Sequence, residues 1–138
     1  MYNLCIEISD HKGKKIDSYV KKIGIRTIEL KGRKGLFLNG EKYPELLLGG
    51  NRHQDFAHIG NALPNNLHWR DALKLRQIGM KVIRSAHYAQ DPAFLDACDA
   101  LGLFVVNAIP GWQFWNDDPI FSERMLSAVS YTHLRAHE

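Results

Sequence analysis

The segment from residue 81 to residue 106 restricts the possible folds more than any other part of the chain. It begins as an apolar strand that ends in polar side chains, continues as an amphipathic helix, and closes with a second apolar strand. This order predicts a parallel strand–helix–strand unit, because parallel neighbours need a crossover connection. Both strands then end at the same edge of the sheet. We therefore expect the functional side chains just after them, in residues 84–88 and 107–112.

The helix of this segment has a clear beginning and end. Asp91 is of a type that caps helix N-termini, Pro92 follows at the first helical position, and Gly102 comes just after the last apolar residue. One stripe of the helix is apolar and should face the core; it consists of Phe94, Leu95, Cys98 and Leu101. On this stripe, Cys98 is expected to be a small core residue.

An earlier strand and helix extend the same pattern. Residues 45–50 form a short, nearly continuous apolar run, which predicts a strand buried on both faces. The segment Pro64–Asn66 predicts the start of a helix capped by an asparagine, and Gly79 predicts its end. The side chains expected to face inward are Trp69, Ala72, Leu73, Leu75 and Ile78. From Leu46 onward the order is strand, helix, strand, helix, strand, which predicts an α/β architecture.

The N-terminal part has β-strand patterns instead. Apolar and polar side chains alternate in residues 2–9, the period of a half-buried antiparallel strand, and residues 11–14 predict a turn. A second extended piece is expected at residues 23–30. Because two such strands bury too little surface to fold alone, we interpret them as the last strands of an all-β domain. Further on, Asn39-Gly40 predicts a hairpin turn, and Pro44 should interrupt the return strand.

Length and composition exclude several classes of protein. At 138 residues the chain is shorter than the roughly 250 residues of a full α/β barrel. Its formal net charge is only +3, and its early basic residues alternate with apolar ones at strand spacing, which argues against a nucleic-acid-binding face. Cys5 and Cys98 are too few for a disulfide framework or a zinc knuckle. No apolar run approaches the roughly 20 residues of a membrane span. We therefore expect neither nucleic-acid nor membrane partners.

Polar residues that could carry chemistry follow the first two strands of the α/β part. Arg52, His53 and Asp55 come after the first strand, and His87 comes after the second. Ligands of α/β folds bind outside the carboxyl ends of parallel strands, so two histidines placed there indicate a shared binding site. A metal site is an alternative, because side chains of suitable ligand types are present in His53, Asp55, His58 and His87. No further ligand cluster appears, so we predict no metal. A dinucleotide site is excluded, because no G-x-G-x-x-G motif follows the first strand.

A loop rich in aromatic and turn-forming residues follows the last strand. It contains Trp112, Phe114 and Trp115 at the predicted carboxyl edge of the sheet. Large aromatic side chains in this place predict a wall of a binding site. The alternative is a loop that folds back on its own core.

The motif Arg84-Ser85-Ala86-His87-Tyr88, together with the pattern of residues 94–106, closely resembles glycoside hydrolase family 2, which includes β-galactosidases, β-glucuronidases and β-mannosidases. Further similar segments lie at residues 23–29, 37–42, 49–55 and 109–113. The first resembles that family's junction out of an immunoglobulin-like sandwich, and the next two resemble the start of its barrel. The last is similar to the third-strand loop of some bacterial members. The resemblance covers residues 2–126.

The resemblance implies an α/β fold, a partial (β/α)₈ TIM barrel comprising strands one to three, preceded by the last strands of an immunoglobulin-like β-sandwich. The implied domains are residues 1–31 for the sandwich strands and residues 32–126 for the N-terminal part of the catalytic barrel. Residues 129–138 fit nothing in the family and resemble translated sequencing-adapter DNA, and the tail is taken to begin at residue 127. Residues 127–138 are therefore interpreted as a non-native tail and set aside.

The resemblance also implies roles for the site residues. His53 and His87 would bind hydroxyls of the terminal sugar, Arg52 and Asp55 would support the same wall, and Trp112 would be an aromatic platform near the leaving group. Members of the family are retaining enzymes, with an acid/base Glu after the fourth strand and a nucleophilic Glu from the seventh. We expect neither in this chain, and therefore no catalytic residue and no activity of the chain alone. No cofactor is expected, and the resemblance leaves room for structural or activating Mg²⁺ or Na⁺ in the parent enzyme.

The expected parent is an O-glycosyl hydrolase of carbohydrate metabolism that cleaves terminal β-linked sugars, β-galactosides before others. Its partner would be a β-glycoside or oligosaccharide substrate. The resemblance allows a homo-oligomeric parent in the bacterial cytoplasm or periplasm, and the sequence does not choose between these compartments. Two alternatives stay open: a non-catalytic carbohydrate-binding module that uses Trp112, Trp115 and the two histidines, and a small metal-dependent hydrolase.

Overall fold

The computed structural model describes residues 1–109, 111 and 114–136, with side chains as far as residue 129. The chain divides into two compact units, Met1–Glu45 and Leu46–Ala136. The first unit is built from β-strands, and the second combines parallel strands with helices.

The first unit begins with a long hairpin. Strand β1 (Tyr2–Ser9) pairs antiparallel with strand β2 (Lys15–Ile23), as the alternation in β1 predicts. The prediction of a half-buried face is wrong, because every residue of β1 is exposed. The sheet has two strands, and a two-stranded sheet has too little apolar area to form a core by itself. The second strand also lies earlier than the expected residues 23–30.

Three short strands form the second sheet of this unit. In spatial order they are β3 (Ile28–Leu30), β4 (Leu36–Leu38) and β5 (Glu41–Lys42), all antiparallel, with a 3₁₀ turn at Gly32–Lys34. The predicted hairpin turn is confirmed: Asn39 and Gly40 have φ of 52° and 82°. These left-handed conformations suit Asn and Gly better than other residues. Strand β5 ends before Pro44, as predicted.

The second unit follows the predicted α/β order. Its elements are β6 (Gly49–Arg52), α1 (Asn65–Gln77), β7 (Val82–Ser85), α2 (Pro92–Leu101), β8 (Phe104–Val106) and α3 (Pro119–Ala136). Strands β6, β7 and β8 form a parallel sheet in that order. The core joins α1 and α2 to the sheet through Ala72, Ile83, Phe94, Ala97, Cys98 and Leu103.

Helix α2 has the predicted caps and the predicted inner stripe. The Asp91 carboxylate accepts a hydrogen bond from the backbone N–H of Ala93 at 2.8 Å, and Gly102 ends the helix with φ of 68°. Phe94 and Cys98 are buried. The interpretation of Cys98 as a core residue is therefore confirmed.

Strand β6 begins later than predicted. Leu46, Leu47 and Leu48 precede the strand and are exposed, so the prediction of a buried strand over residues 45–50 is wrong for these leucines. Parallel pairing starts at Gly49, opposite Val82. A Cβ atom at Gly49 would lie 1.9 Å from the Val82 carbonyl oxygen, so the strands approach too closely for a larger residue.

Helix α1 confirms part of the predicted inner face: Ala72 is buried, and Leu75 is partly buried against the core. Its buried residues are His68 and Ala72, whereas Trp69, Leu73 and Ile78 are exposed. Adjacent helical residues are about 100° apart, so the stripe of His68, Ala72 and Leu75 is covered while the neighbouring positions Trp69 and Leu73 are not. The predicted Asn cap is also wrong, because Pro64 occupies the cap position without a side-chain hydrogen bond.

Helix α3 runs to Ala136 and so includes most of the segment set aside above as a tail. A helical backbone there does not bear on the origin of these residues. Across the residues described above, no helix combines the length and the apolar character that crossing a membrane requires.

Candidate functional site

The two histidines predicted to share a site lie side by side. His53 follows β6 and His87 follows β7, and parallel pairing brings both strand ends to one edge of the sheet. The ring centroids are 5.6 Å apart, with the ring planes at 87°. The ring of Tyr88 lies 6.4 Å from that of His53. The prediction that the sheet brings these two imidazoles together is confirmed.

Arg84 determines the hydrogen-bonding state of His87. Nη1 of Arg84 lies 2.9 Å from Nδ1 of His87. A guanidinium group only donates hydrogen bonds, so Nδ1 is the acceptor and the neutral imidazole carries its proton on Nε2. The pKa of His87 is lowered, first by desolvation and then by the positive charges of Arg84 and His53. At neutral pH this ring is therefore uncharged and has Nε2–H as its donor.

Arg52 lies behind the edge of the sheet, against the helices. Only 6% of the residue is exposed. Its Nη2 donates to Asp71 Oδ2 at 2.8 Å and to His68 Nδ1 at 3.3 Å, and its Nη1 donates to Gln90 Oε1. The guanidinium carbon lies 4.0 Å from the ring centroid of Phe94. Arg52 therefore links the first strand to both helices, and its direct contact with a ligand stays a prediction.

Three of the partners of Arg52 were missed by reasoning from the sequence: His68, Asp71 and Gln90. His68 is fully buried, and desolvation lowers its pKa; among its neighbours, Asp91 and Asp71 raise the pKa and Arg52 lowers it. A usable signal was present for His68, which lies four residues before Ala72 and therefore on the same helical face. Gln90 has no comparable signal, because it lies in the connection before the Asp91 cap.

The remaining predicted site residues are less constrained by the structure. Asp55 lies exposed in the loop after β6, and its role stays a prediction. Trp112 lies outside the described residues. Trp115 is 79% exposed, donates from Nε1 to Asp117 Oδ1 at 2.8 Å, and has its ring 6.5 Å from that of Phe121.

A metal site finds no support in the described part of the chain. There, no three His, Cys, Asp or Glu side chains lie together as a metal ion would require. His53 and His87 form a pair, and Asp55 and His58 do not complete it to a metal-binding group among these residues.

Comparison with known sequences identifies the family. A family model described as glycosyl hydrolases family 2, TIM barrel domain, matches residues 28–125. A β-galactosidase of Thermoanaerobacter pseudethanolicus is 39% identical over 119 residues, which are 86% of this chain and 16% of that protein. A β-glucuronidase of Bacteroides fragilis is 42% identical over 106 residues, which are 76% of this chain and 15% of that protein. The chain thus spans about a sixth of the length of these relatives.

Solved structures agree with the sequence comparison. A β-glucuronidase from Ruminococcus gnavus, solved with D-glucuronic acid, has a TM-score of 0.81 and 25% identity, over 98% of this chain and 23% of that one. Bacteroides uniformis β-glucuronidase 2 has a TM-score of 0.76 and 32% identity, over 92% of this chain and 15% of that one. The predicted sandwich origin of residues 1–31 stays a prediction, whereas the predicted barrel portion is confirmed. The chain belongs to glycoside hydrolase family 2 and carries part of its TIM-barrel domain.

Proposed function

We propose that this chain contributes a sugar-binding edge to a retaining glycoside hydrolase that cleaves terminal β-linked sugars, with β-galactosides as the first candidate. The observation that carries the proposal is the pair of histidine rings 5.6 Å apart at the carboxyl edge of a parallel sheet. The His87 ring offers its Nε2–H donor to a ligand, since its Nδ1 already accepts from Arg84, and sugar hydroxyls accept as well as donate hydrogen bonds. Two imidazole rings at this spacing suit two hydroxyls of one sugar.

The chemistry of such an enzyme divides between binding and bond cleavage. In a retaining glycosidase, one carboxylic acid protonates the leaving oxygen while a carboxylate about 5 Å away attacks the anomeric carbon, and water then hydrolyses the covalent intermediate. His53 and His87 would hold the sugar while this occurs. The resemblance puts the two glutamates after barrel strands four and seven, whereas the described parallel sheet has three strands. We therefore propose that the chain alone binds sugar without cleaving it.

Absence of turnover is the simplest test. The purified 138-residue chain should release no chromophore from aryl β-galactosides or aryl β-glucuronides above the buffer rate, with or without Mg²⁺ and Na⁺. The Thermoanaerobacter β-galactosidase serves as the active control. Hydrolytic activity that co-elutes with the chain from two successive columns would contradict the proposal.

The sugar-binding role of the two histidines is tested in a chimeric enzyme. Residues 46–109 replace the matching segment of the Thermoanaerobacter β-galactosidase, and the chimera should keep β-galactosidase activity. His53→Ala or His87→Ala in the chimera should lower kcat/KM by about 30- to 160-fold, the equivalent of about 2–3 kcal/mol for a lost hydrogen bond in a buried complex. The control is His58→Asn, which changes an exposed histidine with φ of 72° in the same loop and should leave kcat/KM within about twofold. Equal effects of all three substitutions would contradict a role for the pair.

A β-glucuronide is the second candidate substrate. Arg84 puts a guanidinium group beside His87, and a guanidinium suits the carboxylate of a uronic acid. Several relatives, including the Bacteroides fragilis protein, are β-glucuronidases. Galactose and glucuronate titrated separately into the ¹³C-histidine-labelled chain distinguish the two. Shifts of the His87 ring signals at lower concentrations of glucuronate than of galactose would favour the glucuronidase assignment.

A further inference from the structure

The residue before His53 is bonded to the segment that carries His87. The carbonyl oxygen of Arg52 accepts hydrogen bonds from the backbone N–H of Ala86 at 2.9 Å and from Gln90 Nε2 at 3.5 Å. The guanidinium group of Arg52 donates in return to Gln90 Oε1. Arg52 and Gln90 thus bind each other through both the backbone and the side chain of Arg52.

The residue after His53 is bonded to the same segment. The backbone N–H of Gln54 donates to the hydroxyl of Tyr88 at 2.9 Å, and Gln54 Oε1 accepts from the backbone N–H of Asp91 at 2.7 Å. The ring of Tyr88 also lies next to that of His53. Residues 52 and 54 are therefore both attached to residues 86–91, on either side of the first histidine.

Burial makes these attachments difficult to exchange for water. Arg52 and Gln90 are 6% and 3% exposed, and Asp71 balances the buried positive charge at 2.8 Å. When a buried hydrogen bond breaks, its donor and acceptor are left without a partner, which costs free energy. These bonds therefore oppose local opening of the chain. His53 itself is exposed, which leaves its ring available while its neighbours are held.

We infer that Arg52, Gln90 and Tyr88 are positioning residues that set the separation of the His53 and His87 rings by fastening the residues on both sides of His53 to residues 86–91. The inference depends on the proposed function only for what the rings bind, because the separation is a property of this chain. Binding groups must be held within a fraction of an ångström to be effective, so loss of the attachments should affect ligand binding without removing either histidine.

The test uses the full 138-residue chain and two substitutions, each of which removes the side-chain hydrogen bonds of one positioning residue. Gln90→Leu removes both bonds to Arg52, and Tyr88→Phe removes one oxygen atom. Gln90→Glu keeps the acceptor for the guanidinium group but loses the Nε2–H donor to the Arg52 carbonyl, so it should restore the attachment in part. The matched control is Tyr19→Phe, which alters a tyrosine that is 59% exposed on β2.

The readout is the histidine rings themselves, followed by NMR of the histidine-labelled chain. We expect the ring-to-ring NOE between His53 and His87 to weaken several-fold in Gln90→Leu and Tyr88→Phe. We also expect the pKa of His87 to rise toward its ordinary 6.5, because the positive charge of His53 contributes to lowering it. Tyr19→Phe should retain the NOE and the lowered pKa, and Gln90→Glu, which keeps the bond to the Arg52 guanidinium group, should retain more of the NOE than Gln90→Leu.

An unchanged NOE and an unchanged His87 titration in Tyr88→Phe would overturn the inference, even if that variant melts at a lower temperature. If Gln90→Leu does not fold, Tyr88→Phe decides the question. A wild-type chain that has the NOE but whose rings do not respond to any sugar would count against the proposed function and leave the positioning role intact.

Discussion

Burial makes the two cysteines of this chain chemically different. Cys98 is 1% exposed, and its pKa is raised to about 12, first by burial and then by the negative charge of Asp99. Cys5 lies exposed on β1. At pH 8, four units below this pKa, only about one Cys98 side chain in 10,000 is the reactive thiolate.

We therefore predict that one thiol per folded chain reacts promptly with a disulfide reagent at pH 8, and that two react in denaturant. The Cys5→Ser variant separates the two sites, since it should show almost no reaction until it is unfolded. Prompt labelling of folded Cys5→Ser would mean that the interior around Cys98 opens readily to the reagent.

At the scale of single residues, the sequence predicted the pair of histidines because both follow parallel strands. It did not predict the orientation of Arg52. Successive side chains of a strand point to opposite faces, so Arg52 and His53, which are adjacent, could not both face one ligand while the strand continued. Applying this rule would have assigned Arg52 to the helix side. His68 could have been found from its place on the face of Ala72, whereas Gln90 could not, because it lies in the connection before α2.

Among the elements, the pairing of β6 with β7 gives a sharp test, because two successive glycines differ in their surroundings. A Cβ atom at Gly49 would lie 1.9 Å from the Val82 carbonyl oxygen, whereas at Gly50 the nearest atom is the flexible Met80 methyl carbon at 3.4 Å. We predict that Gly49→Ala lowers the free energy of unfolding by about 3 kcal/mol, at the upper end of typical overpacking costs. Gly50→Ala should cost less than about 1 kcal/mol, since only a flexible side chain must move.

Urea denaturation followed by far-UV circular dichroism measures both variants against the parent chain. Because the two substitutions are identical in chemistry and adjacent in sequence, differences in helix or strand propensity largely cancel. Equal stabilities for Gly49→Ala and Gly50→Ala would show that the strands do not approach as closely as the register of β6 and β7 requires.

Helices and strands whose ends are marked by local capping residues could be predicted from the sequence. Faces whose burial depends on the packing of neighbouring elements could not. Helix α2 carries its cap, its inner stripe and its terminal glycine within the sequence itself, and all of them are confirmed. Helix α1 has two candidate apolar stripes, and the sequence cannot show which one is covered. Covering the stripe of His68 and Ala72 leaves Trp69 and Leu73 exposed. The leucines before β6 were misassigned for the same reason, because an apolar run indicates burial but not what buries it.

At the scale of the whole chain, the second unit contains a fraction of the sheet that its family closes into a barrel. The barrel has eight strands, each paired on both sides, so it has no edges. In the described residues, the parallel sheet has three strands, and β6 and β8 each have one parallel neighbour. Val106 on β8 is 53% exposed. Backbone groups on such edges are templates for pairing with other strands.

We therefore predict that the purified 138-residue chain self-associates as its concentration rises and unfolds over a broad temperature range. Val106→Lys places a charge on the edge strand and should shift the chain toward monomer, because a lysine on an edge opposes strand pairing. Ile120→Lys is the control, since it adds the same charge at a position that is 57% exposed on α3 and should leave association unchanged. Light scattering after size-exclusion chromatography, at several loading concentrations, measures the mass, and calorimetry measures the transition. A monomer at every concentration with a single sharp transition would mean that the open sheet is stable without the remaining strands.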